Sequence, residues 1–186
     1  MAKVPDWLSR ARSGWTHRGQ RRPDFALPTG EGQESVWDYP RPPRLAPDER
    51  EVVVRAEGRT LAQTRRASRM LETASPPTFY LPPDDVSTAH LRRGAGESFC
   101  EWKGAATYWD LIDDEGNVLA HKVAWSYARP LEPFAVLADW FCFYPSAVEC
   151  YVDGERVRPQ SSAFYGGWIT DEVIGPFKGD PGTQGW

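Results

Sequence analysis

Cysteine is scarce in this chain. Its 186 residues include three cysteines and three histidines, and no two cysteines are separated by only two residues. A structural zinc site uses four ligands that usually come in such close pairs, so we expect no metal site and no other cofactor. A low, odd number of cysteines is typical of a reducing compartment and excludes a disulfide framework. The cysteines are Cys100, Cys142 and Cys150.

Long apolar runs are also absent. No stretch approaches the roughly 18 apolar residues that a membrane-spanning helix needs, so we expect no membrane partner. Residues 1–22 hold Lys3 and five arginines without an apolar segment, which excludes a secretory signal. Together these absences predict a cytoplasmic protein.

Positive charge is concentrated at the start of the chain. Residues 1–22 carry a formal net charge of +5, whereas the whole chain carries −4, so the remainder carries −9. A basic arm can bind nucleic acid by neutralising phosphates. A solvated arm, or one that crosses to a second subunit, accounts for the same pattern, and we favour it. We therefore do not expect a nucleic-acid partner and keep a homodimer as an open alternative.

Proline and glycine divide the chain into three parts. Seven prolines within residues 1–50 disfavour long helices and central strands, so this part is predicted to be an irregular arm. Within it, residues 37–43 form an extended segment that either lies across the domain or closes one side of a pocket. Residues 51–160 hold the strand patterns of the core domain. Residues 161–186 are rich in glycine and tryptophan, and this arm is expected to pack on the core or on a neighbouring subunit.

Three two-residue turn signals predict β-hairpins. Each lies between segments rich in β-branched and aromatic residues. In the first hairpin the alternation of side chains places Val52, Val54 and Leu61 on one face. The turn signals are Glu57-Gly58, Glu115-Gly116 and Asp153-Gly154.

The remaining segments are predicted to be less regular. Residues 130–139 are the best helix candidate, because proline suits a first turn and Phe134 and Leu137 belong to an apolar stripe. Residues 66–73 are read as a turn or short helix, and residues 94–96 as a flexible link. The chain is therefore predicted to be mainly β, of the α+β class. It would have antiparallel sheets, one short helix and two irregular arms.

The turn at Glu115-Gly116 predicts how the central strands face each other. If residue 114 lies opposite residue 117, Ala106 lies opposite Trp125 and Tyr108 lies opposite Val123. A slip of one residue would exchange the two faces of the hairpin. In the predicted register, one face carries Tyr108, Asp110, His121, Trp125 and, nearby, Tyr127.

A thiol and an amine come just before this hairpin, in the segment Phe99-Cys100-Glu101-Trp102-Lys103-Gly104. Aromatic rings supply contact area and a lysine supplies a fixed charge, which is the usual mix in a ligand site. We predict that the chain is a small-molecule-binding β domain with an aromatic pocket, in which Lys103 contacts an anionic group. The predicted ligand-binding residues are Cys100, Lys103, Tyr108, Trp125 and Tyr127.

Other interpretations of the same residues stay open. Lys103 could hold Cys100 as a thiolate, which would make the protein an enzyme with Cys100 as its nucleophile. Cys100 could equally be a buried thiol, Lys103 a surface lysine, and the aromatic face a core ladder. Asp110 and His121 form either a solvated contact or a base oriented by a carboxylate. The two arms could also embrace a second subunit, as in a homo-oligomeric assembly module.

Several spaced motifs resemble one bacterial family, called domain of unknown function 427 (DUF427). The likeness covers roughly residues 50–160, and the longer chain ends are similar to extensions in one branch of the family. The resemblance implies a mostly antiparallel β domain similar to the β-tent fold of methionine sulfoxide reductases and of zinc-binding Mss4-like proteins. This chain lacks the paired zinc knuckles of those relatives, and the family brings no established activity. The motifs are Cys100-Glu101-Trp102-Lys103-Gly104, Tyr108-Trp109, Ala124-Trp125-Ser126-Tyr127 and Tyr151-Val152-Asp153-Gly154-Glu155.

A nucleotidyltransferase label is sometimes attached to this family. That chemistry needs carboxylates that hold Mg²⁺ on one face. Asp84-Asp85 and Asp113-Asp114 are adjacent pairs in turns, and adjacent residues of an extended strand point to opposite faces. The segment around Lys178 also lacks the glycine-rich spacing of a phosphate loop. The residues therefore do not favour this activity.

Overall fold

The computed structural model describes residues 5–162, 164–183 and 186. Lys3, which contributes to the basic arm, lies outside the described residues. One α-helix, α1, spans Asp6–Ser13. Short 3₁₀ turns span Val36–Asp38, Pro83–Asp85, Thr88–His90 and Ala135–Leu137. The strands are β1 Glu34–Ser35, β2 Arg44–Asp48, β3 Val52–Ala56, β4 Arg59–Thr64, β5 Ala67–Glu72, β6 Ser75–Tyr80, β7 Leu91–Cys100, β8 Gly104–Ile112, β9 Val118–Ser126, β10 Cys142–Phe143, β11 Glu149–Val152, β12 Glu155–Arg156, β13 Arg158–Pro159, β14 Trp168–Ile169 and β15 Val173–Ile174.

The strands form several small sheets, which confirms the predicted mainly β class. The central sheet has the order β10-β9-β8-β7, and a second four-stranded sheet has the order β12-β11-β3-β4. A three-stranded sheet has the order β2-β5-β6, and β13 pairs with β14. These pairings are antiparallel, whereas β1 and β15 pair in parallel and join the two arms.

Two of the predicted turn dipeptides form two-residue hairpins. Glu57 and Asp153 take positive φ angles of 50° and 45°, and a glycine with positive φ follows each. This is the geometry of a type I′ turn, whose twist matches that of the flanking strands. The strands pair directly on either side of both turns. Val52, Val54 and Leu61 are all fully buried, although a bulge shifts the pairing so that Val54 lies opposite Ala62.

The central hairpin of β8 and β9 keeps its predicted faces but not its predicted register. Tyr108 lies opposite Trp125, so the predicted pairings of Tyr108 with Val123 and of Ala106 with Trp125 are wrong. A bulge inserts extra residues into β9, and Lys122 within it takes a φ of 53°. Because the displacement is two positions, an even number, Tyr108 and Trp125 still share one face.

Asp110 stabilises this bulge. Its carboxylate accepts a hydrogen bond from the Lys122 N–H at 2.9 Å and contacts His121 Nδ1 at 2.9 Å. Gly94 of β7 passes so close that a Cβ there would lie 2.6 Å from Asp110 Oδ1. Asp110 is buried, whereas the His121 ring extends into solvent. The predicted Asp110–His121 pair is therefore in contact, and the Asp110 carboxylate stabilises the bulge in β9.

Replacing Asp110 with asparagine is expected to lower the free energy of unfolding by about 1 kcal/mol near neutral pH, because a neutral amide accepts weaker hydrogen bonds. Burial raises the pKa of Asp110, but the hydrogen bonds from Lys122 and His121 outweigh it, and the pKa is lowered. A lowered carboxyl pKa stabilises the fold above about pH 4, the unfolded value. That contribution is lost as the pH falls through the folded pKa.

Urea denaturation of the wild type and Asp110→Asn at about pH 7 and about pH 2 measures this difference. The two chains should converge in acid. Asp24→Asn, at a side chain that is 96% exposed, serves as the control and should match the wild type at both pH values. An Asp110→Asn deficit that stays the same in acid would contradict the assignment.

The α-helix lies in a different place from the one predicted. Residues 130–139 contain only the 3₁₀ turn Ala135–Leu137, so the predicted helix there is wrong. Prolines in this segment remove backbone donors, and the Leu131 N–H bonds to the Lys103 carbonyl at 3.0 Å instead. The helix is α1, directly after Pro5, in the arm that was predicted to be irregular. Among the described residues no helix is long and apolar enough to cross a membrane.

Two segments predicted to be irregular are strands. Residues 67–72 form β5 between β2 and β6, and residues 94–96 belong to β7. Arg69 of β5 concealed this strand in the sequence, because its partners are distant. Arg69 pairs with Glu34, Asp48 and Glu172. Local propensity cannot anticipate such pairing.

The C-terminal arm is part of the core. Trp168 of β14 is fully buried and stacks on Phe79 with ring centroids 4.9 Å apart. Its Nε1–H donates to the Phe143 carbonyl at 2.9 Å. At the end of the chain, Trp186 stacks on Phe25 of the N-terminal arm with centroids 4.8 Å apart. Both arms therefore pack on their own chain.

Candidate functional site

A cavity of about 210 Å³ opens on the face of the central sheet that carries Tyr108 and Trp125. Its walls come from β6, from the end of β7, from β8 and β9, and from both chain arms. The structure thus brings together residues that the sequence singled out one by one. Those that line the cavity are Cys100, Lys103, Tyr108, Trp125 and Tyr127.

Lys103 enters the cavity from the turn between β7 and β8. Gly104 follows it with a φ of 96°, and a Cβ there would lie 3.3 Å from Leu131 Cγ, so this turn requires glycine. The Lys103 carbonyl accepts the Leu131 N–H, which fixes the turn against the next loop. The residue is only 7% exposed, and its Nζ lies 6.0 Å from the ring centroid of Tyr127. Lys103 is therefore a buried cation at the cavity wall.

The charge of Lys103 has no close counterion. Among the described residues no carboxylate lies within 4.0 Å of its Nζ. Burial lowers the pKa of Lys103, but Tyr80, Cys100 and Glu72 outweigh burial and raise the pKa above its ordinary value. Burial also raises the pKa of Tyr80. Lys103 is therefore a protonated amine in a largely dry site.

Aromatic side chains form much of the remaining wall. The Trp125 and Tyr144 rings have centroids 4.5 Å apart. Burial raises the pKa of Tyr127 and Tyr144, so their hydroxyls stay neutral. The Tyr108 hydroxyl donates to Ser98 Oγ at 2.8 Å. The wall thus combines flat apolar surface with a few neutral polar groups.

Trp15 of the N-terminal arm lines the cavity as well. Lys178 Nζ lies 3.5 Å and Arg41 Cζ lies 4.2 Å from its ring centroid. Its Nε1–H donates to Glu101 Oε1 at 3.1 Å, in the turn that carries Lys103. Residues 37–43 were weighed as a strap over a pocket, but none of them lines this cavity. The N-terminal arm closes the site through Trp15 instead.

The Trp15→Ala variant is expected to loosen the N-terminal arm while the core stays folded. Each cation–π contact contributes about 0.5–2 kcal/mol, so residues 6–22 should exchange their amide hydrogens about tenfold faster or more. Hydrogen exchange read by mass spectrometry measures this. Arg10→Ala, at an exposed position on α1, is the control and should exchange as the wild type does. Unchanged protection in Trp15→Ala would show that other contacts hold the arm.

Sequence reasoning missed the cavity residues that the arms and β5–β6 supply. Lys178 comes from the C-terminal arm. Glu72 and Tyr80 come from β5 and β6, which precede the central hairpin in the sequence. One signal was available for Lys178. The chain has four lysines against 18 arginines, and lysine is the cation that can lose its proton. A lysine in a chain whose cations are mostly arginines therefore indicates a candidate functional position.

The three cysteines have different surroundings. Cys142 and Cys150 are fully buried, and burial raises the pKa of both thiols. Cys100 is partly buried and lines the same cavity as Lys103. Of the three thiols, Cys100 is the one placed to meet a molecule in the cavity.

The acidic pairs in the turns are engaged in other contacts. Asp85 pairs with Arg66, and Asp114 pairs with Arg59, each at 2.7 Å. Asp113 accepts hydrogen bonds within its own turn. In the part of the chain that the structure describes, no three His, Cys, Asp or Glu side chains are grouped to hold a metal ion.

Comparison with known proteins places the cavity residues within a family. A family model described as a domain of unknown function (DUF427) matches residues 44–154, which include Cys100, Lys103 and Trp125. Trp15 and Lys178 lie outside the matched segment. No curated protein matches the chain. Since the match spans more than half of its length, the chain belongs to the DUF427 family.

Proposed function

We propose that this protein binds a small organic anion in the cavity, with Lys103 pairing to the anionic group. The observation that carries the proposal is the buried Lys103 ammonium, which lines a cavity and has no carboxylate within 4.0 Å among the described residues. Buried charges in proteins are normally paired. A bound carboxylate or phosphate supplies the missing partner through a charge-assisted hydrogen bond.

The size and walls of the cavity favour a ligand with one ring. An engineered cavity of about 150 Å³ holds benzene, whereas drug-sized ligands occupy about 300–1,000 Å³. A volume of about 210 Å³ suits one ring with an anionic substituent. Trp125, Tyr108 and Tyr127 offer flat surface for such a ring. A nucleoside triphosphate would extend beyond a cavity of this volume.

A thermal-shift screen tests the proposal. The panel contains inorganic phosphate, aliphatic and aromatic carboxylates, sugar phosphates and nucleotides. A ligand at about one hundred times its Kd stabilises the folded state by about 2.7 kcal/mol, which raises the Tm of a chain of this length by several degrees. We expect aromatic carboxylates or small phosphates to raise the Tm of the wild type. They should not raise that of Lys103→Met.

Arg10→Met is the control, because Arg10 is an exposed cation that does not line the cavity. Its Tm shift should equal that of the wild type. A panel without any shift, or an equal shift in Lys103→Met, would contradict the proposal.

An enzyme that uses Cys100 as its nucleophile is a second candidate. Its support is the position of the partly buried Cys100 in the cavity beside Lys103. This candidate requires iodoacetamide to alkylate Cys100 much faster than Cys142 and Cys150 near neutral pH. It also requires Lys103→Met to slow the reaction. A Cys100 rate that does not depend on Lys103 would remove its support.

A third candidate is a homo-oligomeric assembly module, including a homodimer, in which the two arms would contact a second subunit. Because Trp168 is in the core, removing the C-terminal arm would unfold the chain rather than isolate an interface. Light scattering of the full chain over a range of concentrations is the suitable test, and a constant monomer mass would exclude this candidate. The cytoplasmic location, bacterial origin and β-tent-like, Mss4-like topology remain part of the proposal, supported by the sequence and the family resemblance.

A further inference from the structure

The second lysine of the cavity is Lys178, and its backbone is fixed by hydrogen bonds that do not involve its side chain. Its N–H donates to the Ala74 carbonyl at 2.7 Å, and its carbonyl accepts from Gln160 Nε2. The residue is 5% exposed, and it lines the same cavity as Lys103. The backbone of Lys178 is therefore held in place without the help of its amine.

Lys178 is surrounded by rings and by another cation. Its Nζ lies 3.5 Å from the Trp15 ring centroid and 5.3 Å from that of Tyr165. Among the described residues no carboxylate lies within 4.0 Å of it. Burial, and then Arg41, lower the pKa of Lys178 to about 8, against the opposing effect of Glu72 and Glu101. About one tenth of this amine is then unprotonated at pH 7, far more than for an ordinary lysine.

The two cavity lysines therefore differ in the state of their amines. Against the effect of burial, Tyr80, Cys100 and Glu72 raise the pKa of Lys103, whereas burial and Arg41 lower the pKa of Lys178. Two like groups whose surroundings push their pKa values apart commonly divide a task between them. A protonated amine holds an anion, and an unprotonated amine attacks a carbonyl carbon.

We propose that Lys178 forms an imine with the carbonyl carbon of a small anionic aldehyde or ketone bound in this cavity. The proposal rests on the function proposed above, since Lys103 holds the anionic group of the same molecule. The Nζ lone pair forms the new C–N bond, and the carbonyl π electrons move to oxygen. The resulting carbinolamine loses its hydroxyl with the proton from nitrogen as water, which leaves the C=N bond. No oxidant or reductant takes part in this step.

The probe is 4-formylbenzoate, which combines one ring, one carboxylate and one aldehyde. Cyanoborohydride reduces any imine to a stable secondary amine, and peptide mass spectrometry then locates it among Lys3, Lys103, Lys122 and Lys178. We expect at least tenfold faster labelling of Lys178 than of exposed Lys122. The rate at Lys178 should level off above about pH 8. Labelling by benzaldehyde, which has no anionic group, should not favour Lys178 over Lys122. Labelling by glyoxylate, a smaller anionic aldehyde, should still favour Lys178.

Lys178→Arg separates this proposal from the binding proposal. Arginine keeps the positive charge but forms no imine under these conditions. The alcohol analogue, 4-(hydroxymethyl)benzoate, should still raise the Tm of Lys178→Arg, because binding through Lys103 remains. Equal labelling of Lys178 and Lys122, with that Tm shift intact, would overturn the imine proposal alone. Selective labelling of Lys178 that persists unchanged in Lys103→Met would support the imine and overturn the assigned role of Lys103.

Discussion

Lys103→Met is expected to weaken binding of a small organic anion by about 10- to 150-fold while the empty protein stays folded. A hydrogen bond to a charged group contributes about 1.5–3 kcal/mol, which corresponds to that loss of affinity. Methionine retains most of the length of the side chain. It also removes a buried ammonium that has no carboxylate within 4.0 Å in the described part of the chain.

The measurements are a ligand titration by calorimetry and a melting curve without ligand. A change of 1 kcal/mol corresponds to about 2–4 °C for a chain of this size. Arg10→Met, at an exposed position on α1, should change both quantities little, because surface substitutions usually stay within about 0.5 kcal/mol. A loss of binding in a chain that still melts cooperatively is the informative result. A Lys103→Met chain that melts lower than the wild type and binds equally well would show a structural lysine.

Trp168→Ala is expected to destabilise the fold more than the substitutions at Trp15, Lys103 or Asp110. Replacing a buried aromatic residue with alanine costs about 3–5 kcal/mol, out of a typical total of about 5–15 kcal/mol. The change also removes the stacking on Phe79 and leaves the buried Phe143 carbonyl without its donor. The variant should be partly or wholly unfolded near body temperature.

Urea denaturation followed by circular dichroism measures this cost. Trp7→Ala is the matched control, because the same substitution is made at a side chain that is 52% exposed, and its cost should stay below about 1 kcal/mol. Equal costs at the two positions would show that the C-terminal arm does not belong to the core. That result would also restore the division of the chain into a core domain and a separable arm.

The sequence predicts the parts of this fold that local chemistry determines. Glu57-Gly58 and Asp153-Gly154 form two-residue hairpins because their backbones accept the positive φ that a type I′ turn needs. The predicted faces of the central hairpin survive, although its register does not. Its bulge depends on Asp110, which binds a backbone N–H twelve residues away. No turn signal in the sequence predicts that hydrogen bond.

The same limit applies to the cavity. Cys100, Lys103, Tyr108, Trp125 and Tyr127 lie within 28 consecutive residues around one hairpin, so their meeting follows from strand alternation. Trp15 and Lys178 arrive from the two ends of the chain, 163 residues apart. Tertiary packing alone brings them together, and no periodicity in the sequence predicts that they meet. The helix at residues 130–139 fails for a related reason, because that loop bonds to the Lys103 turn.

A crystal structure of the protein with the tightest-binding anion from the screen tests the central claim most directly. We predict that an oxygen of the anionic group lies about 2.7–3.2 Å from Lys103 Nζ, with the rest of the ligand against Trp125 and Tyr127. An anion bound elsewhere, with the cavity empty or with the Lys103 amine turned out to solvent, would contradict the account.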